Sequence, residues 1–189
     1  MTIEVVTAAA LGFWDRNTAI VMVAIAGCES SFNPVAQGDH LSTLPPHLVE
    51  LFAPFSCNGY TSIGAWQINM PSWSDYLRSL TGSTDPCAWR DFLVNVTNNA
   101  FVANHVLQVQ GLTAWSCYNN GAYQQFLAAA TAEVDRQLGQ VPGPVPGPPP
   151  PGGGGPLPPH PAGLPMPAPV EPPFPAISDV LFLQPVPPP

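Results

Sequence analysis

The sequence contains no lysine, and its only cations are Arg16, Arg78, Arg90 and Arg136. Charged residues make up 8% of the chain, where about 25% is ordinary for soluble domains. Solubility therefore rests on Asn, Gln, Ser and Thr. A net charge of -8 without a basic cluster lacks the electrostatic footprint of phosphate binding, so nucleic acid is not an expected partner. The same charge provides no long-range attraction to an anionic cell wall.

Long apolar runs are missing too. The longest, residues 19–26, is far short of the roughly 18 residues that span a bilayer. Residues 1–10 carry no positive n-region, so neither a signal peptide nor a membrane anchor is expected. Cys28, Cys57, Cys87 and Cys117 form no Cys-x-x-Cys pair and have no neighbouring histidine, which argues against a zinc site. Two disulfides are possible. Buried thiols are the favoured reading, because Cys28 and Cys117 both fall inside apolar helical patterns.

Proline is scarce up to Val141, where only Pro34, Pro45, Pro46, Pro54, Pro71 and Pro86 occur, and dense beyond it. The composition thus divides the chain into a folded domain over 1–140, a Pro/Gly-rich linker over 141–175 and an apolar segment over 176–189. The linker predicts a semi-rigid polyproline spacer, at about 3.1 Å per residue on the order of 100 Å long. The last segment, with Val180-Leu181-Phe182-Leu183 at its centre, is too short to fold alone and reads as a docking peptide, the alternative being a disordered end.

Within the first 140 residues, an apolar run from Ala19 to Ala26 ends abruptly on Gly27-Cys28-Glu29-Ser30-Ser31-Phe32-Asn33-Pro34. A cap at Asn17 or Thr18 and a stop at Asn33-Pro34 favour a buried helix over a short strand. A glutamate at the end of such a helix is costly to ionise, and a carboxyl kept protonated near neutral pH can donate a proton. Glu29 is thus the candidate catalytic acid, the alternative being an ordinary exposed helix-end glutamate.

The rest of the domain reads as mainly helical. Ile3, Val6, Ala9, Ala10 and Phe13 predict a first amphipathic helix lying against the Glu29 helix. Residues 35–60 read as a long loop bordering a cleft, with one helical turn at 47–52. His40 and His47 fall in it without matching metal ligands. Residues 59–71 predict a small hairpin, whose Trp66 offers an apolar face and whose Gln67 and Asn69 offer amides suited to orienting a sugar. Helices are expected over 72–80, from Asp85-Pro86 through Leu93, and over 98–110, the last carrying a partly buried His105. A further helix from Ala114 is interrupted at Asn119-Asn120-Gly121 and resumes to Leu138.

Three blocks, Glu29 to Pro34, Ser62 to Asn69, and Ala114 to Tyr123, occur in the order and spacing that resemble the soluble lytic transglycosylase branch of the lysozyme superfamily, phage-borne type. The resemblance implies a mainly α (α+β) lysozyme-like fold with a glycan cleft, and cleavage of the β-1,4 bond between N-acetylmuramic acid and N-acetylglucosamine in peptidoglycan. It implies that Glu29 first protonates the leaving oxygen and then takes a proton from the sugar's 6-hydroxyl, giving a 1,6-anhydro product. Tyr118 would hydrogen-bond near Glu29, Ser30 would buttress the helix end, and Gln67, Asn69, Asn119 and the backbone around Gly64 would hold the acetamido sugars. Ser62 and Trp66, in the same block as Gly64, join that substrate-binding set. No metal or cofactor is implied.

A glycosidase that uses water needs a second carboxylate, and Asp39 in the long loop and Asp75 after the hairpin are the most plausible candidates. Neither lies in a matched motif, which favours the one-carboxylate route over a hydrolytic muramidase. A wall substrate, no export signal, an acidic surface and a tethering tail together suggest a bacteriophage virion, with a virion structural protein as the tail's partner. The alternatives are a bacterial protein exported by another route, or an inactive glycan-binding virion protein.

Overall fold

A computed structural model describes residues 3–139. The linker and docking segment expected beyond them lie outside the described residues.

The structure is mainly helical with one small antiparallel sheet. Its centre is α2 (Arg16–Ser30), in which every residue from Ala19 to Gly27 is buried. A helix apolar on all faces must be covered on all sides. It packs against α1 (Ile3–Leu11), α7 (Ser116–Asn119), a 3-10 turn (Ala122–Phe126) and α8 (Leu127–Gln137). The helix starts earlier than its sequence suggests. Asp15, not Asn17 or Thr18, is the N-cap, its carboxylate accepting the Thr18 N–H at 2.9 Å. The next residue then helps to fix the helix, as Arg16 grips the fully buried Asp135 of α8 through two bonds of 2.6 and 2.8 Å.

The stretch read as a long loop is more ordered than expected. It contains β1 (Gln37–His40) and α3 (Pro46–Phe52), whose Leu48 and Phe52 join Leu44 in a small separate apolar cluster. The predicted hairpin is present as β2 (Tyr60–Ile63) and β3 (Ile68–Asn69), and β1 extends it to three strands in the order β1-β2-β3. Gly38 pairs with Ser62 and His40 with Tyr60, while Ser62 also faces Asn69. The remaining helices are α4 (Ser74–Thr81), α5 (Pro86–Leu93), capped by Asp85, and α6 (Val96–Gln110), stopped by Gly111.

The expectation of free thiols is overturned. Cys28 is bonded to Cys117 and Cys57 to Cys87. The periodicity that marked both as core residues holds for Cys117, 8% exposed, while Cys28 is partly buried at the edge of the core. Periodicity within one helix carries no information about which residue of another it meets. The end of α2 meets the start of α7, and the second bridge ties the loop before β2 to α5.

Candidate active site

Glu29 lies in the last turn of α2, seven residues after Met22. Two helical turns put the two on one face, with Glu29 about 10 Å further along. That face looks onto the hairpin, because the indole N–H of Trp66 donates to the Met22 carbonyl at 2.8 Å. Trp66 is fully buried and meets Trp14 edge-to-face at 5.4 Å. Its indole is therefore a strut between hairpin and helix rather than a platform for a sugar, which corrects the expectation drawn from its aromatic face.

Asn99 of α6, also fully buried, clasps the same turn. Its Oδ1 accepts the Trp66 N–H and its Nδ2 donates to the Ile63 carbonyl, both at 3.0 Å. Gly64 sits between these bonds at φ +87°, and a Cβ there would lie 2.2 Å from Asn99 Nδ2. Glycine is required at this point to let the amide in, not a ligand. The Gly64 N–H is spent on the Ala36 carbonyl and its C=O accepts Gln67 Nε2 at 2.8 Å, so that peptide is occupied within the protein.

Beyond Glu29 the chain turns sharply, with Ser31 and Phe32 both left-handed at φ 54° and 61°. Ser30 Oγ donates back to the Ala26 carbonyl at 2.9 Å, the buttress expected of it. Phe32 folds over the helix end against Phe126, at 5.7 Å, where a Cβ on Gly27 would come within 2.6 Å of it. The carboxylate is half-buried in this frame, and burial is the largest influence on it, raising its pKa above the ordinary value. The Cys117 N–H, donating to Oε1 at 3.3 Å, and the Ser116 side chain pull the other way, while the negative charge of Asp39 pushes it further up.

These partners differ from the expected one. Tyr118 stacks on Tyr123 at 5.0 Å, and among the described residues its hydroxyl makes no hydrogen bond to Glu29. The polar contacts to the carboxylate come instead from the two residues before it, Ser116 and Cys117. Cys117 is bonded in turn to Cys28, the residue preceding Glu29, so one covalent link holds donor and acceptor together. Trp115, one residue earlier again, donates its indole N–H to the Trp66 carbonyl at 2.9 Å and closes the triangle of α2, hairpin and α7.

The proposed sugar-binding residues divide. Gln67 is half-buried in a left-handed conformation, φ 46°, its Oε1 lying over Gly38. Asn69 accepts from the Ser72 N–H and hydroxyl, while its Nδ2 is buried without a partner among the described residues. Asn119 is exposed at the end of α7, with Nδ2 given to the Thr113 carbonyl at 2.9 Å. Ser62 is only 2% exposed, and its hydroxyl donates to a carboxylate oxygen of Asp39. A residue that deep reaches no sugar directly.

Of the two further carboxylates, Asp75 is exposed and pairs with Arg78 at 3.4 Å in α4. Asp39 is the one whose charge acts on Glu29. His105 packs between Tyr76, 4.0 Å away, and Trp73, and burial lowers its pKa, as befits a core residue. His40 Nδ1 contacts Ser42 at 2.7 Å and caps the turn that follows β1. Among the described residues no group of three or more His, Cys, Asp or Glu is placed to hold a metal, and no helix is long and apolar enough to cross a membrane.

Comparison with protein-family models, with curated proteins and with solved structures returns no match.

Proposed function

We propose that the chain is a peptidoglycan glycosidase that cleaves the β-1,4 bond between N-acetylmuramic acid and N-acetylglucosamine, with Glu29 as the proton donor. One observation carries the reading. The half-buried Glu29 carboxyl, at the end of an apolar run, is shifted by burial toward its protonated form, and it still takes polar contacts from Ser116 and Cys117. That is the state a general acid needs at the moment a glycosidic oxygen departs. In lysozyme, of the superfamily that the sequence resembles, the general acid is likewise a glutamate whose pKa is raised by an apolar pocket.

The proton of Glu29 goes to the leaving oxygen, the bond from that oxygen to the anomeric carbon breaks, and positive charge develops on the sugar ring. Two acceptors can complete the reaction. The sugar's own 6-hydroxyl gives the 1,6-anhydro product of a lytic transglycosylase, which the sequence resemblance implies. Water gives the product of a muramidase, and the charge of Asp39, which acts on Glu29, favours this second reading. Gln67, Asn69 and Asn119 supply the amides that remain for acetamido sugars once Ser62, Gly64 and Trp66 are assigned to the framework.

The context we propose is a bacteriophage virion acting on the bacterial wall, with the segment at 176–189 as its attachment to a structural protein of the particle. Its support is compositional: an acidic chain with no lysine and a long Pro/Gly spacer. Incubating purified peptidoglycan with the protein and with Glu29→Gln tests the function. Soluble muropeptides from the first and none from the second are expected, and equal release from both would end the reading. Binding of glycan strands without any release by the unaltered protein would point to a glycan-binding protein instead.

A further inference from the structure

Asp39 occupies a conformation that a strand residue does not adopt by default. Gly38 is paired with Ser62 and His40 with Tyr60, so Asp39 stands opposite Thr61 in the same register. Side chains alternate between the faces of a strand, and cross-strand partners share a face. A regular Asp39 would therefore point to the face opposite Ser62. Its backbone is left-handed instead, φ 52°, and its carboxylate meets the Ser62 hydroxyl. Aspartate and asparagine tolerate this region better than other residues with a Cβ, and such conformations concentrate at functional sites.

Its surroundings make the arrangement a built one. Thr61 Oγ1 donates to the Asp39 carbonyl at 3.1 Å and holds the turned backbone from the neighbouring strand. Ser62, 2% exposed, lies in β2 between β1 and β3, so the hydroxyl that donates to the carboxylate is carried by a buried central strand. Asp39 is exposed, with Oδ2 on Ser62 and Oδ1 without a partner among the described residues, open to solvent. Glu29 lies two helical turns beyond Met22, whose carbonyl holds the Trp66 indole of the same hairpin, and the charge of Asp39 acts on its carboxyl.

We propose that Asp39 is the second catalytic carboxylate, the base that takes a proton from a water as that water attacks the anomeric carbon, and that Ser62 is its positioning residue. This rests on the glycosidase reading given above. The step balances without any further reagent. A bond forms from the water oxygen to the anomeric carbon as the glycosidic bond breaks, the water proton passes to Asp39, and the Glu29 proton goes to the departing 4-oxygen. Solvent then returns Glu29 to its protonated and Asp39 to its ionised form. The net reaction consumes one water. Attack by a base-activated water on the face opposite the leaving group inverts the anomeric centre, so the first product carries an α reducing end. The product is a reducing muramic acid, not the 1,6-anhydro sugar.

Digestion of purified peptidoglycan in 18O-water, with the full chain, Asp39→Asn and Ser62→Ala, tests the proposal. Mass spectrometry is expected to show the heavy oxygen in the reducing-end muramic acid from the unaltered chain. Asp39→Asn, which suits a left-handed backbone equally well, is expected to release it roughly 100-fold more slowly at an unchanged melting temperature. If that variant does not fold, Ser62→Ala, with the carboxylate present but unanchored, is expected to lower kcat by about tenfold with KM unchanged. Unlabelled anhydro product from the unaltered chain overturns the role of Asp39 and leaves Glu29 as sole acid and base. Labelled product at full rate from Asp39→Asn or, where that variant fails to fold, from Ser62→Ala overturns it as well. No muropeptide from the unaltered chain means that the glycosidase reading has failed, and the proposal fails with it.

Discussion

The bond between Cys28 and Cys117 has two consequences that a pair of variants can separate. It closes a sequence separation of 89, and that between Cys57 and Cys87 closes one of 30. Chain-entropy reasoning gives about 4–5 kcal/mol for the longer loop and about 3–4 for the shorter, each a large fraction of the 5–15 kcal/mol of an ordinary domain. Only the longer bridge touches the site, because Cys117 donates its N–H to Glu29 and Cys28 precedes it in the chain. Cys28→Ala/Cys117→Ala and Cys57→Ala/Cys87→Ala are therefore expected to be comparably destabilised, differing by about 1 kcal/mol in urea titrations. Their activities should diverge. At a temperature where circular dichroism shows both folded, the first pair should lose about tenfold in kcat, equivalent to about 1.4 kcal/mol. Its alkaline limb should also move to higher pH, since a donor that lowers the Glu29 pKa is loosened. The second pair should keep both rate and pH profile. If the two variants lose activity equally, or neither shifts the limb, the bridge is a staple for the fold and has no part in setting Glu29.

Replacing Asn99 with Leu keeps the branched shape but removes the partner of the buried Trp66 N–H and a donor to the Ile63 carbonyl, so a loss of about 2–5 kcal/mol is expected in denaturant unfolding, and less than 1 would contradict the clasp. Because burial raises Glu29, the native state holds its proton to higher pH than the unfolded chain. The folded protein then binds more protons in the window above the ordinary value of about 4.3, so this group's contribution to stability falls as pH rises through that window and stays lower above it. Glu29→Gln lacks the dependence, so the stability of the unaltered chain minus that of the variant should decrease from pH 4 upward, and a difference that grows with pH would show the shift to have the opposite sign. Deleting 176–189 should leave cleavage of soluble glycan fragments unchanged while abolishing incorporation into a particle; normal incorporation of the shortened chain would dismiss the docking role.

The helical elements were legible because their apolar periods are regular and their ends are marked, as at Asp85-Pro86 and Gly111. Glu29 was legible for a related reason, an apolar run that stops on a carboxylate. The cap of α2 was misplaced because Asp15, Asn17 and Thr18 are all capping types, and the choice is made by tertiary contacts such as Arg16 with Asp135. Strand β1 was hidden in a polar stretch, since an edge strand of four residues with Gly38 and a turned Asp39 shows no alternation. Trp66 and Ser62 were read as cleft residues because a local pattern of aromatic, amide and glycine does not say which face of a hairpin is covered. The useful signal was Asn99. An amide beside Ala100 and Ala103 on the buried face of a helix must satisfy both its polar ends, and the Gly64 turn is what it satisfies.

The role of Glu29 as proton donor is reached most directly by varying how much the leaving group needs a proton. Rates for the unaltered chain and Glu29→Gln can be compared on peptidoglycan glycan strands and on a muramic acid glycoside whose leaving group is a dinitrophenolate, stable without protonation. The variant is expected to fall by at least about 100-fold on the glycan and to stay within about tenfold on the activated glycoside. An equal fall on both substrates, or no fall on the glycan, would contradict Glu29 as the acid.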